Sequence, residues 1–179
     1  MFREKVGDSL QQLIDDVCKL HENNNRIGIL SRLKEMAENP DDIIMALPDF
    51  DSEEVLLYSD DNLAVYYIST PSKILYPPHE HGMVAISALF KGTETHVFYD
   101  RDGERVVERS RVTFEAPEVV DLDINVVHAI CTHDEEPNAS IHFYLGDLEN
   151  QTRTMWDVSG DNPRQYVHQN YLKSARPLN

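Results

Sequence analysis

The chain has 179 residues, of which 41% are hydrophobic and 27% are charged, and its formal net charge at pH 7 is −16. This size and composition suit a single globular domain over residues 1–179. The large negative charge, with no basic run to offset it, excludes binding to the phosphate backbone of nucleic acids. No apolar stretch approaches a membrane span, no signal-peptide core follows Met1, and two cysteines are too few for a disulfide scaffold. We therefore expect a cytoplasmic protein without membrane or nucleic-acid partners.

Residues 1–50 are predicted to form a helical segment. Apolar residues recur at helical spacing in two runs, which are separated by the helix-breaking stretch Asn23–Asn25. Asp8 or Ser9 is the expected N-cap of the first helix, and Pro40 suits the start of a short third helix. The apolar positions of the two runs are Leu10, Leu13, Ile14, Val17 and Leu20, and then Ile27, Leu30, Leu33 and Met36.

The pattern changes at residue 55, and residues 55–146 are predicted to form a β core. Short runs rich in β-branched and aromatic residues are separated here by turn residues, which is typical of a β-sandwich or a small barrel. Residues 147–179 lack this pattern and are predicted to be a C-terminal extension. The predicted hairpins pair residues 55–58 with 63–68 and 93–99 with 104–114, and the other predicted strands cover residues 83–90, 118–122, 126–132 and 139–145.

The stretch Pro77–Met83 carries the clearest chemical signal in the chain. Side chains alternate between the two faces of an extended strand, so His79 and His81 point to one face and Glu80 points to the other. Two imidazoles on one face of one strand can hold a single metal ion. The alternative is a pair of surface histidines without a metal, and the spacing alone leaves both interpretations open.

This stretch and the strand after it resemble the first motif of the cupin superfamily. That motif has His-x-His, then an acidic metal ligand four or five residues on, and then a glycine. His79, His81 and Gly92 fit these positions, whereas Ala85 or Ile86 stands where the acidic ligand would be. The chain therefore resembles a cupin that has lost its acidic ligand.

His128 resembles the histidine of the second cupin motif. Asn125 stands three residues ahead of it, where that motif prefers glycine, and asparagine tolerates the left-handed turn that glycine would supply. The resemblance implies a cupin double-stranded β-helix, so the expected fold is mainly β with N-terminal helices. It also implies that His79, His81 and His128 together hold one metal ion.

A cupin with three histidines and no acidic ligand resembles the cysteine dioxygenase branch, the thiol dioxygenases. Ser140, His142 and Tyr144 match that family's Ser-x-His-x-Tyr strand, whose side chains form a hydrogen-bonded chain beside an iron ion. Arg153 stands nine residues beyond Tyr144, where bacterial enzymes of the 3-mercaptopropionate type have a carboxylate-binding arginine. Ile86 replaces the cysteine that the mammalian enzymes crosslink to the tyrosine, so we expect no such crosslink.

The resemblance implies a non-haem Fe(II) enzyme that oxidises a small carboxylate-bearing thiol to its sulfinate with O₂. In this interpretation Tyr144, oriented by His142 and Ser140, positions the substrate or oxygen, and Arg153 binds the substrate carboxylate. Two plainer interpretations stay open: the Ser-His-Tyr strand is a polar stripe on the barrel wall, or Arg153 is a surface ion-pair partner of an acidic neighbour. The alternative functions are another metal-dependent cupin enzyme, such as an oxygenase or hydroxylase acting on a small acid, and a non-catalytic metal-binding or sensing cupin.

Overall fold

The computed structural model describes residues 5–48, 50 and 52–178, in which N-terminal helices precede two antiparallel β-sheets. The helices are α1 (Asp8–Glu22), α2 (Arg26–Glu38), α3 (Asp41–Ala46) and, near the C-terminus, α4 (His168–Lys173). The strands are β1 (Glu54–Ser59), β2 (Ala64–Ile68), β3 (Ile74–Leu75), β4 (His79–Glu80), β5 (Val84–Lys91), β6 (Thr93–Asp102), β7 (Arg105–Glu115), β8 (Glu118–Leu122), β9 (Val127–Cys131), β10 (Ala139–Leu145), β11 (Thr154–Met155), β12 (Arg164–Gln165) and β13 (Arg176–Pro177).

The N-terminal helices form where the amphipathic pattern predicts them. The expected N-cap of α1 is wrong: Gly7 is the N-cap and makes no side-chain cap bond, and Asp8 instead lies in the first turn, where a carboxylate favours the helix dipole. The side chain of Asn25 caps α2 by accepting a hydrogen bond from the backbone N–H of Gly28. The asparagine run that ends one helix therefore also starts the next.

The first sheet has five strands in the order β1-β2-β10-β5-β8, and its two faces serve different purposes. Ile141 and Phe143 of β10 are fully buried in the apolar core that also contains the inward faces of α1 and α2. Side chains alternate along a strand, so Ser140, His142 and Tyr144 point to the opposite face. The helices thus cover the outer face of this sheet and leave a polar stripe on its inner face.

The second sheet is built around β9, which pairs with β4, β3 and β6. The long hairpin of β6 and β7 extends it on one side. The C-terminal residues join this sheet as well, because β11 pairs with β4 and β13 pairs with β3. The C-terminal extension, residues 147–179, therefore contributes strands to the wall that carries His79.

The mainly β architecture with N-terminal helices confirms the predicted fold class. Both predicted hairpins form, as β1 with β2 and as β6 with β7. The expected left-handed turn at Asn125 is wrong: among the described residues, the non-glycine positions with positive φ are Asn24, Lys73 and Asn162. Within the same part of the chain, no helix is both long and apolar enough to cross a membrane.

Candidate metal centre

Three histidine side chains converge between the two sheets. His79 lies on β4 directly opposite His128 of β9, and His81 follows β4 by one residue. The Nε2 atom of His81 is 3.2 Å from Nε2 of His79 and 3.4 Å from Nε2 of His128. The candidate ligand atoms of all three lie within 4.8 Å of one another, and all three side chains are buried. The structure therefore brings together the three histidines that the two cupin-like motifs predict.

The chemistry of this cluster fits a metal ion. Burial is the main cause that lowers the pKa of His79 to about 3, and it lowers the pKa of His81 and His128 well below the usual value. Nδ1 of His79 lies 3.2 Å from the carbonyl oxygen of Pro77, so this nitrogen carries the ring proton and Nε2 keeps its lone pair. Neutral imidazoles whose lone pairs converge are the form in which histidine binds divalent metals.

Gly82 allows the chain to leave the metal cluster. It connects His81, beside the second sheet, to β5 in the first sheet, and it does so with φ of +69°. A β-carbon at this position would lie 2.6 Å from Nε2 of Gln151. The Gln151 side chain is exposed and flexible enough to move aside, so it is the left-handed backbone that favours glycine directly after the second histidine.

Ser140, His142 and Tyr144 form the series of hydrogen bonds that the resemblance to the thiol dioxygenases implies. Nε2 of His142 is 2.9 Å from the Ser140 hydroxyl, and Nδ1 of His142 is 3.5 Å from the Tyr144 hydroxyl. Burial lowers the pKa of His142 to about 4 and raises the pKa of Tyr144 well above its usual value, so both side chains are neutral near pH 7. The Ser-His-Tyr series thus presents an uncharged phenol beside the three imidazoles.

A cavity of about 760 Å³ opens over the histidine cluster. His142 and Tyr144 line it together with the three histidines, while Ser140 lies fully buried behind His142. Arg153 also lines the cavity, and its guanidinium carbon lies 3.9 Å from the centre of the Tyr166 ring. The structure therefore places Arg153 in the same cavity as the cluster, within a cation–π contact that holds the side chain there.

The C-terminal residues supply one wall of this cavity, which sequence reasoning missed. The Tyr171 ring stacks on the Tyr76 ring with centroids 5.1 Å apart and meets the His79 ring edge to face at 4.8 Å. Tyr166 and His168 line the cavity next to it. Aromatic residues in an otherwise polar segment were the available signal, because such residues are seldom left in solvent without a partner.

Glu54 is a second cavity residue that the sequence did not single out. It stands at the start of β1, and its carboxylate lies 3.8 Å from Nε2 of His168. Burial is the main cause that raises the pKa of Glu54, whereas the nearby charges of His168 and Arg153 act in the opposite direction. The cavity therefore contains groups able to carry either sign of charge.

The strand next to Tyr144 corrects one positional expectation. Ala85 of β5 pairs directly with Tyr144, whereas Ile86 pairs with Phe143 and packs in the core beneath the helices. A cysteine that could crosslink to Tyr144 would therefore have to replace Ala85, and not Ile86. Neither residue has a thiol or a carboxylate, so the three-histidine ligand set has no acidic member on this strand.

No protein-family model and no curated protein matches the chain. Among solved structures, the DMSP lyase DddQ from Ruegeria pomeroyi is 23% identical, with a TM-score of 0.42; the match covers 53% of this chain and 44% of that one. An RmlC-like cupin from Methanocaldococcus jannaschii is 14% identical, covering 57% and 90%, with a TM-score of 0.46. A double-stranded β-helix protein from Klebsiella pneumoniae is 9% identical, covering 63% and 87%, with a TM-score of 0.48.

These likenesses concern the fold alone. The chain spans less than half the length of the DMSP lyase it resembles, since the match covers 44% of that protein. The fold class rests on the strand pairing within this chain.

Proposed function

We propose that the protein is a non-haem Fe(II) dioxygenase that oxidises a small carboxylate-bearing thiol to its sulfinate with O₂. The observation that supports it is one cavity lined by three neutral histidines, by Tyr144 held in a Ser-His-Tyr chain, and by Arg153. Bound Fe(II) would supply open positions for a thiolate and O₂, and the balanced overall reaction is RSH + O₂ → RSO₂H.

Three uncharged ligands suit an anionic substrate. The low pKa values of His79, His81 and His128 mean that these three side chains are neutral near pH 7, and none of them is a carboxylate, so the ligand atoms themselves carry no negative charge. A bound thiolate would therefore offset positive charge of the metal ion that a carboxylate ligand offsets in cupins with an acidic ligand. This difference from an acidic ligand set favours a thiol over a neutral alcohol as the substrate.

Tyr144 is placed to donate a hydrogen bond to the bound substrate or oxygen. Burial keeps its phenol protonated, and its hydroxyl lies 3.5 Å from Nδ1 of His142, which is the outer limit of a hydrogen bond. The proton is therefore held loosely and can turn toward a ligand in the cavity. On the far side of the His142 ring, Nε2 lies 2.9 Å from the Ser140 hydroxyl, and this hydrogen bond keeps Nδ1 aimed at Tyr144.

Arg153 provides the positive charge for a substrate carboxylate. Its planar fork of N–H donors matches the two carboxylate oxygens, and stacking over Tyr166 limits the conformations of the side chain. Because Arg153 and the histidine cluster line the same cavity, a short molecule can place its carboxylate at one and its sulfur at the other. The proposed substrate class is therefore a thiol and a carboxylate joined by a short chain.

The test is oxygen consumption by Fe(II)-loaded protein with a panel of thiols, together with metal analysis of the purified protein. The panel contains 3-mercaptopropionate, cysteine and the carboxylate-free thiol cysteamine, and the product is identified by mass spectrometry. We expect a gain of two oxygen atoms in a carboxylated thiol and a stoichiometric uptake of O₂. An iron-loaded protein that consumes no O₂ with any thiol would contradict the proposal.

A second candidate is another metal-dependent cupin oxygenase or hydroxylase that acts on a small acid. The observation that favours it is the size of the cavity, because about 760 Å³ lies in the range of pockets that hold larger ligands than a three-carbon thiol. Oxygen uptake with aromatic or longer carboxylic acids but with no thiol would favour this candidate. Binding of metal and acid without any oxygen uptake would favour a sensing role.

A further inference from the structure

A buried chain of polar side chains starts on the side of His128 that faces away from the cavity. Nδ1 of His128 lies 3.1 Å from Nδ1 of His96, and Nε2 of His96 lies 2.7 Å from a carboxylate oxygen of Glu94. Glu94 and His96 both lie on β6, which pairs with β9. Their relative exposures are 1% and 0%, so the chain is sealed from solvent. It connects a carboxylate to the back of a candidate metal ligand.

The Glu94 carboxylate is held rigidly at the far end of this chain. Its second oxygen accepts hydrogen bonds from the Asn138 amide at 3.2 Å and from the Thr70 hydroxyl at 3.3 Å. The backbone N–H of Thr70 in turn donates to the Asn138 side-chain oxygen at 2.7 Å. Burial by itself would raise the pKa of Glu94, but the hydrogen bond with His96 and the neighbouring imidazoles lower it to about 2. The carboxylate is therefore a buried, fully bonded negative charge.

The hydrogen bonds give the chain a direction. An ionised carboxylate only accepts, so Nε2 of His96 carries a proton and donates it to Glu94. In neutral His96, Nδ1 then has a lone pair and accepts, so Nδ1 of His128 is the donor across the 3.1 Å contact. A neutral His128 that is protonated at Nδ1 has its lone pair at Nε2, and Nε2 is the atom that faces His81. With His96 neutral, the arrangement leaves one tautomer of His128, the one that can bind a metal in the cluster.

We propose that Glu94 and His96 are positioning residues that complete the metal centre: they fix His128 with Nε2 toward the metal and supply, through hydrogen bonds, the negative charge that three histidine ligands lack. A metal-bound histidine commonly donates its other N–H to a carboxylate, which raises the basicity of the ligand. Here an additional imidazole stands between the two. This inference depends on the metal site and not on the reaction that we propose for it.

Titration of the metal-free protein with Co(II) alone tests the proposal. We expect Glu94→Gln to weaken Co(II) binding by about 10–100-fold, because removing such an outer partner typically costs that much. Glu94→Asp should recover part of the affinity, since it keeps the charge. Thr95→Val is the control: Thr95 is a buried residue of the same strand, and the change removes its 2.8 Å, partly buried hydrogen bond to Thr113 without altering the contacts among Glu94, His96 and His128. Equal losses in Glu94→Gln and Thr95→Val would overturn the proposal.

A second measurement needs no variant and therefore does not depend on whether the variants fold. Nitrogen-15 NMR of the wild-type protein loaded with Zn(II) reports the tautomer of each histidine ring. We expect a protonated Nδ1 on His128, with a slowly exchanging proton, and a protonated Nε2 on His96. A merely structural pair does not require this combination. Detection of His128 in the opposite tautomer, or of His96 protonated at Nδ1 alone, would overturn the proposal.

Discussion

Tyr144 and His81 belong to different sheets, yet their rings meet edge to face with centroids 5.1 Å apart. Tyr144 is on β10 of the first sheet, and His81 directly follows β4 of the second. The candidate metal ligands therefore come from one sheet and the polar chain that faces them comes from the other. Any shift of one sheet against the other would separate the phenol from the cluster, so the apolar core beneath β10 also determines the geometry of the site.

Replacing any one of the three clustered histidines should abolish tight metal binding. His79→Ala, His81→Ala and His128→Ala each remove one of three converging lone pairs, and each loss should exceed the roughly 10–100-fold expected for an outer partner. Metal content after dialysis and Co(II) titration provide the measurement. His133→Ala is the control, because His133 is exposed. If all three variants keep the stoichiometry of the parent protein, the metal ligands are wrongly assigned.

Much of this site could be predicted from the sequence, because local pattern encodes it. The alternation of Ser140, His142 and Tyr144 places all three on one strand face, and His-x-His spacing does the same for His79 and His81. Such period-two patterns in a sequence indicate which residues share a strand face, because one face of each strand must point inward in the folded protein. The helices are predictable from apolar residues at helical spacing, and the hairpins from turn residues between two strand-like runs.

The remaining parts of the site depend on contacts that no local pattern records. Glu94 and His96 alternate on β6 in the same way, but their role becomes visible only when β6 pairs with β9 and brings His96 next to His128. Tyr171 lies 92 residues beyond His79 in the chain, and its contact with that ring depends on how the C-terminal segment folds back. Both contacts therefore depend on pairing between strands that are far apart in the sequence.

Tyr144→Phe should keep the metal and the fold but reduce turnover. The aromatic ring remains to fill the buried space, whereas the hydroxyl that faces His142 is lost. We expect kcat to fall by roughly 10–100-fold with Co(II) affinity unchanged, as is typical for a group that acts beside a metal. Tyr99→Phe serves as the control, since Tyr99 packs in a separate apolar cluster. Turnover equal to that of the parent protein on the best substrate would remove Tyr144 from the mechanism.

The metal-free protein should lose stability in acid because of His142. Its pKa is about 4 in the folded protein against 6.5 for the free side chain, so between these values only the unfolded chain binds the proton. The unfolding free energy therefore falls as pH is lowered from 6.5 to about 4, by up to about 1.4 kcal/mol per pH unit from this group. Below about pH 4 both states are protonated and this contribution stops changing.

Urea denaturation of the metal-free protein at pH 7, 6 and 5 measures that slope. The other buried histidines contribute to it in every variant, so the informative quantity is the difference between the parent protein and His142→Gln. We expect a shallower decline in His142→Gln and an unchanged one in His133→Gln, whose ring is exposed. Parallel pH profiles for the parent and His142→Gln would show that the buried ring is not the cause.

Arg153→Ala should selectively weaken the binding of carboxylated thiols. A paired arginine–carboxylate contact in a partly desolvated cavity contributes about 1.5–3 kcal/mol, which corresponds to a KM increase of about tenfold or more. Arg153→Lys should recover only part of this, because a point charge cannot reproduce the planar fork. Arg109→Ala is the control, since Arg109 is exposed on β7.

Cysteamine separates the carboxylate role of Arg153 from a general effect on the cavity. It lacks a carboxylate, so it should be a poor substrate of the parent protein and should respond little to Arg153→Ala. The Tyr166 ring also loses its cation–π partner in this variant, and a collapse of the cavity wall would impair every thiol alike. A loss confined to 3-mercaptopropionate and cysteine therefore identifies the carboxylate contact. If cysteamine instead outperforms both acids with the parent protein, Arg153 does not select the substrate.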